Sequence, residues 1–224
     1  MSTCTALLGG SFDPVHHGHV ALAELFARLL QPDELRIMPA GQPWQKTGLQ
    51  AGDAERVAML ELALREGTFP PGVKLRIDTR EIDRKTPTYT VETLRELRAE
   101  LGPAASIVFL MGADQLQKLD TWHDWHSLFG LANFGVAARP GYRLDDAGLP
   151  PAVAAELARR KGTPQEVRAS AAGRVCLAHT LAVDISATAV RQALHAGGDA
   201  RTEAGACLAP QVLDYIQQHN LYKS

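Results

Sequence analysis

The chain has 224 residues, 46% hydrophobic and 21% charged, an ordinary globular balance and enough length to bury a core without disulfides or structural metals. Its 23 Lys and Arg against 25 Asp and Glu leave a net charge of −2, which gives no reason to expect a nucleic-acid partner and, with the apolar content, argues against disorder. The longest stretch free of Asp, Glu, Lys and Arg, Trp125–Ala138, is 14 residues, short of the roughly 20 that cross a bilayer, so no membrane partner is expected.

Along the chain, Thr5–Leu8 is a short apolar run closed by Gly9-Gly10 and reads as a strand. A helix follows from about Gly18 to Leu30, with Val20, Leu22, Leu25, Phe26 and Leu29 near helical spacing. Leu35–Met38 predicts a second strand, stopped by Pro39, and Ala54–Arg65 a helix with Asp53 as N-cap. Val73–Ile77 alternates with period two, and Thr90–Leu101 is helical. Ser106–Met111 is continuously apolar before Gly112, the pattern of a strand buried on both faces. Phe134–Ala138 predicts another strand, stopped by Arg139-Pro140-Gly141. Residues 142–173, rich in Ala, Arg and Pro without a β pattern, read as a peripheral helical excursion. Arg174–Leu177 returns to strand, and Ser186–Leu194 and Ala209–Gln218 close the chain as a helical C-terminal part. Strand–helix alternation over 1–224 implies one α/β domain, a parallel sheet covered by helices on both faces, with a ligand crevice beyond the carboxyl ends of its strands. The N-terminus lacks the basic and apolar segments of a secretory signal, and Cys4, Cys176 and Cys207 form no CxxC, so a reducing, cytosolic protein is expected.

Two segments carry chemistry. After the first strand comes Gly9-Gly10-Ser11-Phe12-Asp13-Pro14-Val15-His16-His17-Gly18-His19. A strand, two glycines and a helix start make a phosphate-binding position, because helix N-termini present free N–H groups and positive dipole. It fits neither GxGxxG nor GxxxxGK[ST]. His16 and His19, three apart, share one helical face, and Gly18 between them lets a ligand approach. A lone HxxH is more often a surface accident or half a zinc site; the strand, the paired glycines and Gly18 weigh against that, and zinc would need more ligands than His16 and His19, with His123 and His126 not brought to them by anything in the sequence. The second segment is Asp184-Ile185-Ser186-Ala187-Thr188-Ala189-Val190-Arg191, where Ser186 stands as an N-cap with Thr188 and Arg191 on the same side. Alone it reads as a capped helix with a solvated Arg; with the first segment, both follow candidate parallel strands and open on one crevice.

Together the segments resemble the nucleotidyltransferase superfamily with its HxGH and ISSTxxR motifs. More narrowly, the whole chain is similar to the bacterial nicotinate mononucleotide adenylyltransferases: GGSFDPVHHGH at 9–19, then Thr86-Pro87-Thr88-Tyr89-Thr90, Gly112-Ala113-Asp114, Thr121-Trp122, Arg139-Pro140-Gly141 and ISATAVR at 185–191. The resemblance implies a Rossmann-like fold and adenylyl transfer from ATP, accompanied by Mg²⁺, to nicotinate mononucleotide. It implies that His16 and His19 contact the ATP phosphates, with Arg191 on the triphosphate and Lys46 a further cation. Gly9, Gly10, Ser11, Phe12 and Gly18 would line the nucleotide pocket, Gly112 and Asp114 hold adenosine, and Ile185, Ser186 and Thr188 pack on adenine and phosphates. Thr88, Tyr89 and Thr90 would cradle the nicotinate carboxylate, Trp122 stack on the pyridine ring and Arg139 lie near the mononucleotide.

Some residues keep plain alternatives: Thr88 as an N-cap, Trp122 as partial core, Tyr89 as a packed aromatic, Asp114 as an N-cap. The chain departs from the family pattern at Gln45, where the family often has His, and at Ala187, where it has Ser. Competing readings are a related transferase acting on phosphopantetheine or a phosphorylated alcohol, a nucleotide sensor without turnover, and a zinc hydrolase using the HxxH pairs.

Overall fold

The computed structural model describes residues 3–42, 49–84, 86–138, 148–178, 185–196 and 203–223. Its frame is a six-stranded, wholly parallel sheet: β1 (Cys4–Gly10), β2 (Glu34–Pro39), β3 (Lys74–Ile77), β4 (Ser106–Gly112), β5 (Asn133–Ala137) and β6 (Val175–Ala178). The spatial order is β3-β2-β1-β4-β5-β6. This is the dinucleotide-fold order, in which the chain direction of winding reverses between β1 and β4 and opens a crevice at their carboxyl ends. The fold is the expected α/β Rossmann-like one.

The sheet divides the core because successive strand residues point to opposite faces. Cys4, Ala6 and Leu8 of β1 and Val108 and Leu110 of β4 join one cluster; Leu7 and Ile107, Phe109 and Met111 join the other. The first cluster is completed by α1 (His17–Leu30), α2 (Asp53–Glu66), α9 (Ala187–Ala196) and α10 (Pro210–Gln218). The second is completed by α4 (Thr90–Leu101) and α6 (Trp125–Leu131). Helix α1 packs Phe26 against β5 at Gly135, where a Cβ would lie 2.8 Å from the ring. The edge strand β3 is largely exposed, Leu75 included, although its alternation predicts a buried face.

Short helices went unpredicted: α3 (Arg80–Asp83), α5 (Ala113–Leu116), a 3₁₀ turn at Leu119–Thr121, and α6. Between β5 and β6 lie α7 (Pro151–Arg160) and α8 (Pro164–Ala169). Helix α8 opens on a capping box, with Thr163 and Glu166 bonding each other's backbone amides, and buries Val167. Asn133 Nδ2 and Ser106 Oγ donate to the Val167 carbonyl, tying α8 to β4 and β5. The N-cap of α2 is Gly52 rather than Asp53, which instead sits one position inside and accepts from Arg56. Among the described residues no helix is long and apolar enough to cross a membrane.

Candidate active site

A cleft of about 760 Å³ opens at the carboxyl ends of β1, β2 and β4. Gly9, Gly10 and Ser11 line it from β1, Gly112 and Asp114 from the end of β4, and Ile185, Ser186 and Thr188 from the entry to α9. The two motif segments, more than 160 residues apart in sequence, therefore meet in one crevice.

At its centre, His16 is the N-cap of α1 and His19 lies in the first turn. The imidazoles stack with centroids 3.8 Å apart and planes 26° apart. The His16 amide donates to His19 Nδ1 at 3.3 Å, so a neutral His19 ring carries its proton on Nε2. Gly18 leaves room for this stack: a Cβ there would lie 3.1 Å from His16 ring atoms, so that the ring would have to give by a few tenths of an ångström, and 3.7 Å from the Ile185 carbonyl oxygen. The space thus serves the His16 ring, where the sequence suggested only ligand approach. The first turn is also less open than a bare helix start, because the His17 amide donates to the Cys207 carbonyl at 2.9 Å.

Buried partners fix the loop between β1 and α1. Arg56, 0% exposed, donates Nη1 to the Ser11 carbonyl at 2.8 Å. The Asp13 carboxylate accepts from the amides of Gln50 and Ala51 at 2.9 and 3.0 Å. Arg191 Nη1 donates to the Asp13 carbonyl at 2.6 Å. Ser186 is the expected cap, its Oγ accepting from the Ala189 amide at 3.2 Å.

The cleft wall also carries Thr88, Thr90 and Trp122. Trp122 meets Phe109 edge-on, centroids 5.9 Å apart, and its Nε1 is buried without a hydrogen-bond partner among the described residues. Thr88 is buried before α4, whose N-cap is Tyr89, so Thr88 is not the cap. Asp114 is likewise not a cap: Gly112 occupies that position of α5.

Three expected residues do not line the cleft. Phe12 is buried, its ring packed edge-on against His19 at 4.9 Å and close to Gly10. Tyr89 packs on His123 at 4.7 Å, and Arg191 is engaged by Asp13. Lys46 and Arg139 lie outside the described residues, as does Gln45. His123 and His126 lie outside the cleft wall. Sequence reasoning missed Glu81, Gln115 and Lys118 in the wall; no motif marks them, and only the fold brings them there.

A cytidylyltransferase-like family model matches residues 7–193. A protein of Herminiimonas arsenicoxydans named "Probable nicotinate-nucleotide adenylyltransferase" is 54% identical over 100% of this chain and 99% of its own length. One of the same name from Laribacter hongkongensis is 48% identical over 97% of this chain and 94% of its own. Among solved structures, Plasmodium falciparum nicotinic acid mononucleotide adenylyltransferase complexed with NaAD superposes with a TM-score of 0.77 at 18% identity, covering 98% of this chain and 97% of that one. The strand order, the paired histidines at the β1–α1 turn and this full-length likeness converge: the chain belongs to the cytidylyltransferase-like family, among the nicotinate-nucleotide adenylyltransferases.

Proposed function

We propose that the protein transfers the adenylyl group of ATP to nicotinate mononucleotide, giving nicotinate adenine dinucleotide and pyrophosphate, a step of NAD biosynthesis. The observation that carries this is the convergence of the HxGH and ISATAVR segments on one cleft whose wall also holds Thr88, Thr90 and Trp122. The full-length relatives bearing that enzyme name support it.

The chemistry needs no protein nucleophile. An oxygen of the mononucleotide 5′-phosphate attacks the α-phosphorus of ATP, the bond to the bridging oxygen breaks, and pyrophosphate departs with the electron pair. Catalysis is then positioning and stabilisation of shifting negative charge. His16 and His19 are placed for the phosphates, and Ile185, Ser186 and Thr188 for the nucleotide. The resemblance adds Lys46 and Arg139. The grip of Asp13 on Arg191 gives Arg191 the further task of holding the β1–α1 loop. ATP is expected as its Mg²⁺ complex. The ion would be held mainly by the phosphate oxygens and water; among the described residues no three His, Cys, Asp or Glu gather as a metal site. Thr88 and Thr90 at the start of α4 suit a carboxylate through the positive end of that helix. Small substrates, a net charge of −2 and no apolar run of membrane length support a cytosolic enzyme with neither nucleic-acid nor membrane partners.

The test supplies purified protein with ATP and Mg²⁺ and, in parallel, nicotinate mononucleotide, nicotinamide mononucleotide and phosphopantetheine, measuring pyrophosphate. The nicotinate substrate is expected to be turned over fastest. Preference for the nicotinamide form would remove the carboxylate reading, and preference for phosphopantetheine the whole assignment.

A further inference from the structure

We propose that Glu81 is a specificity-determining residue that accepts a hydrogen bond from a ribose hydroxyl of the mononucleotide substrate. The inference rests on the reading of the Thr88 flank as the mononucleotide end of the cleft.

Glu81 sits on α3, just past edge strand β3, and lines the cleft. Its backbone is wedged against the end of β2: a Cβ on Gly41 would lie 2.0 Å from the Glu81 carbonyl oxygen. Its side chain is oriented by a two-step chain. Arg84 Nη1 donates to Thr93 Oγ1 at 3.3 Å, and Thr93 Oγ1 donates to Glu81 Oε1 at 2.7 Å. Thr93 is buried, which holds the hydroxyl in place. Among the described residues Glu81 Oε2 has no hydrogen-bond partner and no ion pair holds the carboxylate: Arg80 pairs with Asp78 and Glu100, and Arg84 with Glu96, from where its charge still acts on Glu81. Burial raises the Glu81 carboxyl above its ordinary value, opposed by the Thr93 hydrogen bond. A half-buried, oriented acid with one oxygen unpartnered among the described residues costs stability, and such groups concentrate at functional sites.

The chemistry of the substrates says what Glu81 can meet. Their phosphates and the pyridine carboxylate are anionic acceptors, which a carboxyl oxygen repels or leaves unsatisfied. The sugar hydroxyls are donors, and an acidic side chain bonding a ribose hydroxyl is the recurring solution in this sheet topology. The described cleft lining holds two acids, Glu81 and Asp114. They lie on opposite sides of β1, Asp114 beyond β4 and Glu81 beyond β3 and β2. Glu81 is thus the acid at the β2 end of the cleft, where the Thr88 amide donates to the Gln42 carbonyl at 3.1 Å.

The experiment is a cycle between side chain and substrate hydroxyl. Glu81→Ala and Glu81→Met, the latter keeping bulk if the former folds poorly, are assayed with nicotinate mononucleotide and with its 2′-deoxy and 3′-deoxy forms. Each variant is expected to lose about 10- to 100-fold in kcat/KM for the mononucleotide, the range of a hydrogen bond to a charged group, with the KM for ATP moved less than about twofold. The wild type should lose a similar factor on one deoxy substrate, on which the variants lose nothing further. Unchanged kcat/KM, losses that multiply on both deoxy substrates, or a change confined to ATP would overturn the proposal. If the wild type turns over only nicotinamide mononucleotide, the carboxylate reading fails but the cycle runs on that substrate, which carries the same ribose. Turnover of neither mononucleotide overturns both.

Discussion

The Tyr222 hydroxyl donates to Asp13 Oδ1 at 2.7 Å, joining residues 209 positions apart beneath the β1–α1 loop. The contact is buried on both sides, and Asp13 also holds the amides of Gln50 and Ala51 and, through its carbonyl, Arg191. The last turn of the chain thus braces the loop from which the first motif grows. Burial raises the Tyr222 phenol above its ordinary value, and the hydrogen bond and negative charge of Asp13 raise it further. A raised acid keeps its proton longer in the folded state, so this stability is complete below the ordinary tyrosine value near 10 and is lost as pH rises beyond it. Tyr222→Phe should cost about 1.5–3 kcal/mol at neutral pH, as for hydrogen bonds to charged groups. The gap between wild type and variant should narrow above pH ~10 by up to about 1.4 kcal/mol per pH unit. Urea denaturation at several pH values reads both; a constant gap would refute the Tyr222–Asp13 linkage.

The frame was legible in the chain because β1 and β4 are buried on both faces and end at glycines, so apolar runs and their stops coincide with strands. The cleft lining at the β1–α1 turn was legible because it is local: Gly9, Gly10, His16, Gly18 and His19 fall within eleven consecutive positions. What escaped is non-local or too short. Helix α3 has four residues and α6 seven, too few turns for a periodic signal to emerge. Glu81 reaches the cleft only because β3 pairs with β2, and Asp13 becomes a hub only when residues 50, 51, 191 and 222 arrive from elsewhere.

His19→Ala removes a cleft-lining imidazole and also the acceptor of the His16 amide. Loss of a preorganised donor at developing charge predicts a fall in turnover on the order of 10²–10³. Loss of the cap interaction predicts only about 0.5–2 kcal/mol of stability. Steady-state kinetics beside thermal melting separates the two; near-normal turnover would refute the role assigned to His19.

Gly18→Ala tests the stacked pair in the opposite direction. Alanine is the better helix former by about 1 kcal/mol, so stability should hold or rise. Its methyl would lie 3.1 Å from the His16 ring, which must shift by a few tenths of an ångström. If His16 contacts the ATP phosphates as proposed, a displacement of that size predicts roughly tenfold lower kcat, given that about 1 Å of misplacement costs 10²-fold. An unchanged kcat in a folded variant would show that the His16 position is not critical.

The Arg36–Asp78 pair, both side chains almost fully buried, links β2 to the start of α3 at 3.2 Å and so supports the base of the Glu81 flank. Burial works to raise the Asp78 carboxyl, but the hydrogen bonds of Arg80 and the charges of Arg80 and Arg36 prevail and leave it below its ordinary value. A depressed carboxyl contributes stability that is complete above the ordinary aspartate value near 4 and is lost as pH falls through the folded one. Asp78→Asn should cost about 3 kcal/mol at neutral pH, the low end for breaking a buried pair, because Glu34 and Glu100 still hold Arg36 at 2.8 Å each. The variant should also lose part of the wild type's decline in stability below pH ~4. Urea midpoints at pH 7 and pH 3 provide the comparison: a variant whose deficit is as large at pH 3 as at pH 7 would show that Asp78 acts by shape alone, without its charge.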